Sequence, residues 1–69
     1  MNIFSQRIKE LRLSRNLSLK EVAKIIGMSL MAYAHYEYGD RQPSIETIVK
    51  LCDLYDVSAD YLIGRTDSY

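Results

Sequence analysis

The chain has 69 residues with nine basic and nine acidic side chains, so its formal net charge is zero, and 48% of its residues are hydrophobic. This composition is typical of one small globular domain and excludes a disordered segment. We expect neither a membrane span nor a secretion leader, because the sequence has no apolar run of about 18 residues and no charged-then-apolar start.

Cysteine and histidine usage argues against metal and redox chemistry. Cys52 is the single cysteine and therefore has no partner for an internal disulfide or a zinc site. We predict that it is a small core residue in a cytoplasmic protein. With one histidine and no glycine-rich phosphate loop, the sequence also indicates no cofactor, no metal and no enzymatic activity.

Basic side chains are concentrated near the start of the sequence. Residues 1–24 carry six basic and two acidic side chains, a net charge of +4, whereas residues 45–69 carry two basic and five acidic ones, a net charge of −3. A total of zero counts modestly against nucleic acid as a partner. The gradient can nevertheless turn the basic end toward phosphate, with a solvated face of mixed charge as the alternative.

The first predicted helix runs from about residue 3 to Arg15 and ends at Asn16, a residue that tolerates a left-handed backbone. Its spacing of apolar residues predicts one inward-facing stripe, because positions three and four apart share a side of a helix. The members of that stripe are Phe4, Ile8 and Leu11.

Two short helical patterns separated by one glycine follow. Ser18 and Glu21 form a capping box at the first pattern, and Gly27 stands at the turn, where a positive φ is needed. Ser29 then caps the second pattern and Gly39 ends it. This spacing is that of a helix-turn-helix, whose second helix DNA-binding proteins place in the major groove. A plain helical hairpin is the alternative.

Two further helices are predicted in the last third of the chain. Ser44 caps the fourth helix, and Val57 with Ser58 precedes a short fifth one around residues 60–63. Gly64 closes the fifth helix. We expect residues 65–69 to form a frayed tail and the domain core to span about residues 4–64. The predicted buried face of the fourth helix consists of Ile45, Ile48, Val49, Leu51, Cys52 and Leu54.

Five stretches of the sequence resemble the phage-repressor-like, or XRE-type, helix-turn-helix domains. They are residues 8–12 (Ile-Lys-Glu-Leu-Arg), 17–23, 26–29, 36–44 and 57–64. As a set they are specific, and the resemblance extends over about residues 8–64. It implies a single all-α domain, a five-helix repressor-like fold with the helix-turn-helix in helices 2 and 3. It also implies a domain that is usually dimeric, binds double-stranded operator DNA and regulates transcription.

Phosphate contacts are expected where helices begin, because backbone amides and the helix dipole favour anions there. The predicted helix starts place them near Leu19, Lys20 and Ser29. Arg41, in the loop after the third helix, is a charged candidate, with a solvated loop arginine as the alternative. By resemblance, Tyr38 stands where the family often has asparagine, and its hydroxyl can still reach a phosphate. Leu19 stands where the family usually has glutamine, so that side-chain contact is missing.

The exposed side of the third helix is predicted to face the bases. Most of these side chains can touch thymine methyl groups but cannot make a bidentate hydrogen bond. His35 is the exception, with a solvent-exposed histidine without a role as the alternative. We expect sequence preference to depend on methyl contacts and DNA shape. The predicted base-reading residues are Leu30, Met31, Ala32, Ala34 and His35.

Two core positions are interpreted from the resemblance. Arg12 and Glu37 match family positions that form an ion pair bracing the motif. Tyr33 stands where relatives mostly have isoleucine or valine. We therefore expect Tyr33 either to push the third helix outward or to direct its hydroxyl to the surface.

The leading hypothesis is a cytoplasmic repressor that binds an inverted-repeat operator as a homodimer. The second is a protein-interaction module, antitoxin-like or anti-repressor-like, with weak or no specific DNA binding and a partner at the exposed Leu30 and Met31. For the predicted dimer surface, simple core packing is the alternative, and we expect a mixture of the two. The residues of that surface are Tyr55, Val57, Tyr61, Leu62 and Ile63.

Overall fold

The computed structural model describes residues 2–69, and within that range the chain forms five α-helices and no strand. The helices are α1 (Ile3–Ser14), α2 (Leu19–Ile26), α3 (Leu30–Tyr38), α4 (Ile45–Tyr55) and α5 (Ala59–Leu62). The predicted all-α, five-helix architecture is confirmed. Within residues 2–69, no helix is long and apolar enough to cross a lipid bilayer.

Local hydrogen bonds and glycines define the ends of the helices as predicted. The Ser18 hydroxyl accepts a bond from the Glu21 amide at 3.0 Å, and the Glu21 carboxylate accepts one from the Ser18 amide at 2.9 Å. Gly27 and Gly39 adopt φ angles of 77° and 86°, which end α2 and α3 in the left-handed conformation. Asn16 does the same after α1, with φ of 56°.

The five helices surround one apolar core. α2 packs against α3 and α4, while α1 contacts α3, α4 and α5. Because α3 is held by both α1 and α2, its orientation is set by the core and not by the turn alone. The fully buried core residues are Ile8, Val22, Tyr33, Leu51, Tyr55 and Leu62.

Tyr33 is fully buried, so the expectation that its hydroxyl reaches the surface was wrong. Its hydroxyl lies 3.3 Å from the hydroxyl of Tyr55, which is also fully buried. A buried hydroxyl is tolerated when it has a hydrogen-bond partner, and here the partner comes from α4. Burial raises the pKa of the Tyr33 phenol, which therefore stays neutral inside the core.

The outer side of α4 is apolar where the sequence predicted burial. Ile45 is 81% exposed and Val49 is 53% exposed, so these two assignments were wrong. Leu51 is fully buried as predicted. A core-facing stripe covers only part of a helix circumference. In α4 this stripe consists of Thr47, Leu51 and Tyr55. The partly buried residues of α4 that pack against the core are Ile48, Cys52 and Leu54.

Residues 65–69 were predicted to form a frayed tail, but they are held against the domain. The Arg7 guanidinium donates to the backbone carbonyl of Thr66 at 2.6 Å and pairs with the Asp67 carboxylate at 2.9 Å. The backbone oxygen of Tyr69 accepts a hydrogen bond of 2.8 Å from the amide of Ser58, the residue that caps α5. Arg7 lies 59 residues before Thr66 in the sequence, so no local sequence pattern predicts this contact.

Candidate nucleic-acid interface

The exposed starts of α2 and α3 present backbone amides to solvent. Ser18 and Ser29 each cap the third amide of the helix that follows, those of Glu21 and Ala32. The first two amides of each helix have no acceptor within the helix, because the i−4 carbonyl lies outside it. Together with the positive end of the helix dipole they can bind an anion. These amides belong to Leu19 and Lys20 in α2 and to Leu30 and Met31 in α3.

Two lysines border the start of α3. Lys20 and Lys24 line one groove together with Leu30 and Met28. Their spacing of four residues places both on the same side of α2, and this spacing was the signal that the sequence interpretation missed for Lys24. The groove therefore joins an apolar floor to two cationic side chains.

A second groove contains two of the predicted phosphate contacts, Leu19 and Tyr38. It is lined by Lys9, Leu19 and Tyr38, together with the ion pair that joins α1 to α3. Leu19 is half-buried and packs against the core, whereas Tyr38 is 58% exposed. Lys9 was missed by the sequence interpretation, because only the fold brings α1 next to the start of α2 and the end of α3.

Arg41 is exposed, as a phosphate contact requires. Its guanidinium carbon lies 5.9 Å from the centroid of the Tyr36 ring, a distance at which a cation still interacts with an aromatic face. Its contact with phosphate remains a prediction.

Each of the three arginines in the first 24 residues makes hydrogen bonds to another segment of the protein. Arg7 binds the C-terminal segment, Arg12 pairs with Glu37, and Arg15 donates to the Tyr55 carbonyl at 2.7 Å. The basic start of the sequence is therefore not a uniformly basic surface. The cations that face solvent around α2 and α3 are mainly lysines.

Arg12 and Glu37 form the expected ion pair between α1 and α3. The Arg12 Nε and Nη2 atoms donate to the two carboxylate oxygens of Glu37 at 2.8 and 3.0 Å. The Arg12 side chain is 11% exposed and that of Glu37 is 4% exposed. The hydrogen bond to Glu37 raises the pKa of Arg12. Arg12 also donates to the Leu17 carbonyl at 2.9 Å, so the pair ties α3 to the loop before α2.

Four of the five predicted base-reading residues remain accessible at the surface. Leu30 is 42% exposed, Met31 is 54% exposed and Ala32 is half-buried, all in the first turn of α3. Ala34 is only 1% exposed, so its assignment was wrong. Ala34 shares the inward side of α3 with Tyr33, the neighbouring residue that enters the core.

His35 has a partner that the sequence interpretation missed. Its Nδ1 atom lies 2.9 and 3.1 Å from the two carboxylate oxygens of Asp40, and its ring meets the Tyr38 ring edge to face. This leaves Nε2 for a further hydrogen bond. His35 belongs to the last turn of α3, whereas base contacts in helix-turn-helix proteins come mainly from the first turn.

The predicted dimer residues divide between the core and the surface. Tyr55, Val57 and Leu62 are 0%, 9% and 0% exposed, so assigning these three to a dimer surface was wrong and the core-packing alternative holds. They belong to the apolar core. Tyr61 is half-buried and Ile63 is 45% exposed, so both can meet another molecule.

The fold and the two exposed helix starts define a small helical domain of the helix-turn-helix class. Residues 8–62 match the family model described as helix-turn-helix. The chain belongs to this family.

Related proteins include bacterial and phage regulators. The chain is 44% identical over 59 residues to the HTH-type transcriptional regulator AnsR of Bacillus subtilis, an alignment that covers 86% of this chain and 51% of that protein. It is 36% identical over 66 residues to the cryptic phage CTXphi transcriptional repressor RstR of Vibrio cholerae, with coverage of 96% and 60%. The chain thus spans roughly half to three fifths of the length of these curated relatives.

Solved structures share the fold over nearly the whole chain. The restriction-modification controller protein C.AhdI from Aeromonas hydrophila is 32% identical, with a TM-score of 0.78 and coverage of 86% of this chain and 89% of that one. The P22 c2 repressor, solved in complex with a synthetic operator, has a TM-score of 0.84 and coverage of 91% and 96%. At 24% identity, the second comparison establishes the fold alone.

Proposed function

We propose that this chain is a sequence-specific DNA-binding transcription regulator, a repressor that binds an inverted-repeat operator as a homodimer. The observation that carries the proposal is the pair of exposed helix starts in α2 and α3, bordered by Lys20 and Lys24. Membership of the helix-turn-helix family and the regulators among its relatives support it. The cytoplasm is the compartment consistent with this function.

In this function α3 enters the major groove while the surrounding amides and cations bind phosphates. The leucine at position 19 provides no side-chain hydrogen bond, so the backbone amides at the start of α2 and Lys20 make the contact there. Lys9, Tyr38 and Arg41 extend the phosphate-binding surface around the end of α3. The Arg12–Glu37 pair holds α3 at a fixed angle to α1 and touches no base.

A dimer is needed to place two copies of α3 about 34 Å apart in successive major grooves. Ile63 and Tyr61 remain available for it, and Ile3 lines the same groove as Ile63. A two-fold contact brings this apolar surface against its own copy. Sedimentation of the protein at micromolar concentration is expected to show a dimer that Ile63→Asp disrupts, whereas a wild-type monomer contradicts this part of the proposal.

The test of DNA binding is selection of bound fragments from a genomic library by the purified protein, followed by titration of the best fragment over a range of salt. We expect a short inverted repeat whose log K falls linearly with log salt, with a slope near −0.9 per phosphate contacted. Lys20→Ala and Lys24→Ala should weaken binding to all sequences alike. Arg65→Ala is the matched control, because it removes the same charge from the C-terminal segment. Binding that is insensitive to salt contradicts the proposed phosphate contacts.

A second candidate function is supported by the exposed Leu30 and Met31. Apolar side chains in contact with solvent often mark a surface for another protein. A protein-interaction module on the same fold predicts no enriched DNA fragment from a protein that circular dichroism shows to be folded. It also predicts that a protein captured from the host binds wild type and loses binding on Met31→Asp.

A further inference from the structure

His35 and Asp40 form a side-chain pair at the C-terminal end of α3. The His35 Nδ1 atom lies 2.9 and 3.1 Å from the two carboxylate oxygens of Asp40. The backbone supports this pair, because Gly39 turns the chain with a φ of 86° and the amides of Gly39 and Asp40 both donate to the His35 carbonyl. The Tyr38 ring meets the imidazole edge to face, with 5.8 Å between the ring centroids. Three successive residues thus hold His35 in place.

The Asp40 carboxylate determines which nitrogen of the His35 ring carries the proton. An ionised carboxylate has acceptors and no donor, so the ring atom that faces it must be an N–H group. A neutral imidazole has one N–H group and one acceptor nitrogen, and the hydrogen bond of one nitrogen fixes the role of the other. In the neutral His35 ring the proton is therefore on Nδ1, and Nε2 is an acceptor.

The Nε2 atom of His35 is available to another molecule. Within residues 2–69 it has no hydrogen-bond partner, and the His35 side chain is 41% exposed. His35 follows Met31 by four residues, so the two side chains lie on the same side of α3, about 6 Å apart along the helix axis. In the proposed function this side of α3 lies in the major groove.

An acceptor at Nε2 restricts the groups of DNA that His35 can bind. In the major groove adenine and cytosine present an exocyclic amine, which is a donor, whereas guanine and thymine present carbonyl oxygens, which are acceptors. Phosphate oxygens are acceptors as well. A neutral His35 in this tautomer therefore matches an amino base, and it matches neither a keto base nor a phosphate.

We propose that Asp40 is a positioning residue that keeps the neutral His35 ring in the Nδ1–H tautomer, so that Nε2 accepts a hydrogen bond from the exocyclic amine of adenine or cytosine. The inference rests on the proposed DNA-binding function and specifies the chemical group that His35 recognises. Asp40 acts through His35 and makes no base contact of its own.

The first test measures the tautomer without DNA. His35 is the only histidine of the chain, so a long-range proton–nitrogen correlation spectrum of the labelled protein contains a single imidazole. At about pH 8.5, above the range in which histidine usually titrates, we expect a protonated Nδ1 and an unprotonated Nε2. Asp40→Asn should lose this tautomer, because the amide can donate to Nδ1. Asp53→Asn, which removes an exposed carboxylate from α4, is the matched control and should keep it. A wild-type ring with its proton on Nε2 overturns the proposal.

The second test uses duplexes selected at the same pH by the wild-type protein from a library with a randomised central segment. The position read by His35 is the one at which His35→Ala loses its base preference. There we expect adenine or cytosine to bind about fivefold more tightly than guanine or thymine, the effect of one hydrogen bond. Where adenine is selected, purine deoxyriboside, which lacks the amine, should cost the same factor.

The variants of the first test complete the second. Asp40→Asn should abolish the preference at this position and retain the preferences elsewhere in the site, whereas Asp53→Asn should behave as wild type. Circular dichroism verifies that each variant is folded. Unchanged preference in Asp40→Asn contradicts the positioning role of Asp40.

The ways of failing give different results. A preference for guanine or thymine at the position of His35 overturns the inference and leaves DNA binding intact. A His35→Ala variant that weakens binding to all sequences alike does the same, because it indicates a phosphate contact. A variant with wild-type affinity and preferences assigns His35 no part in DNA binding and also overturns the inference. Absence of any enriched duplex from the folded wild-type protein overturns the proposed function and the inference with it.

Discussion

The two sides of α3 depart from the usual arrangement of a surface helix. The inner side buries a carboxylate, that of Glu37, and a phenol, that of Tyr33, whereas the outer side exposes Leu30, Met31 and Tyr38. An ordinary surface helix places apolar residues inside and polar ones outside. Buried polar groups are costly unless each has a partner, so the inner side depends on specific pairs. The outer side has no such requirement and is free to serve a partner molecule.

The largest expected effect is on the inner side. Glu37→Ala leaves the Arg12 guanidinium largely buried without its carboxylate, and we expect a loss of about 3–5 kcal/mol in the free energy of unfolding. Such a loss can unfold a domain of this size, so circular dichroism as well as urea titration is the measurement. Glu46→Ala is the matched control, because this carboxylate is 82% exposed and makes a long ion pair of 3.9 Å with Lys50. The substitution should cost less than about 0.5 kcal/mol. Similar urea midpoints for the two variants contradict the prediction.

Alkaline pH should lower the free energy of unfolding through the buried tyrosines Tyr33 and Tyr55. Burial raises the pKa of Tyr33 and that of Tyr55 above their ordinary value of 10.0. Above that pH the unfolded chain loses protons that the native chain keeps, so the free energy of unfolding is unaffected below about pH 10 and falls above it. Each tyrosine with a raised pKa contributes a slope of at most about 1.4 kcal/mol per pH unit. Urea titrations across this range measure the slope, and Tyr33→Phe should reduce it.

The hydroxyl pair in the core predicts a smaller and non-additive effect. Tyr55→Phe removes the hydroxyl 3.3 Å from that of Tyr33 and should cost about 1–2 kcal/mol, since the remaining hydroxyl stays buried. In the double variant with Tyr33→Phe, both polar groups are absent, and the combined cost should be less than the sum of the single ones. Additive costs in urea titrations would show that the two hydroxyls do not interact.

The smallest expected effect on stability is on the outer side of α3. Met31→Ser should change the free energy of unfolding by no more than about 0.5 kcal/mol, because the side chain is more than half exposed. The measurement is the urea midpoint, with Leu13→Ser as the equally exposed control. A large loss for Met31→Ser alone would mean that the outer side of α3 also stabilises the fold.

Helix boundaries could be predicted from the sequence because they depend on contacts between residues close together in the chain. The serines at positions 18, 29, 44 and 58 cap their helices through amides three residues later, and Gly27 and Gly39 adopt the expected left-handed backbone. These interactions are complete within one turn. The family pattern added the Arg12–Glu37 pair, which spans 25 residues and has no local signature.

The side of each helix that is buried was predicted less well than the helix boundaries. Ile45 and Val49 carry the same apolar signal as Leu51, yet only Leu51 is fully buried. Periodicity shows that a helix has an apolar side, but the packing of the other helices decides how much of that side is covered. Ala34 was misplaced for the same reason, because its burial follows from the way Tyr33 enters the core.

The sequence by itself determined five helices, their caps, the helix-turn-helix and the apolar character of the first turn of α3. Only the tertiary structure decided that Arg7, Arg12 and Arg15 find acceptors in distant segments, while Lys20 and Lys24 remain exposed. It also decided that the Tyr33 hydroxyl finds its partner inside the core, because the matching hydroxyl comes from Tyr55, 22 residues away. Short-range hydrogen bonds are visible in a linear pattern, whereas burial and charge pairing depend on residues that only folding brings together.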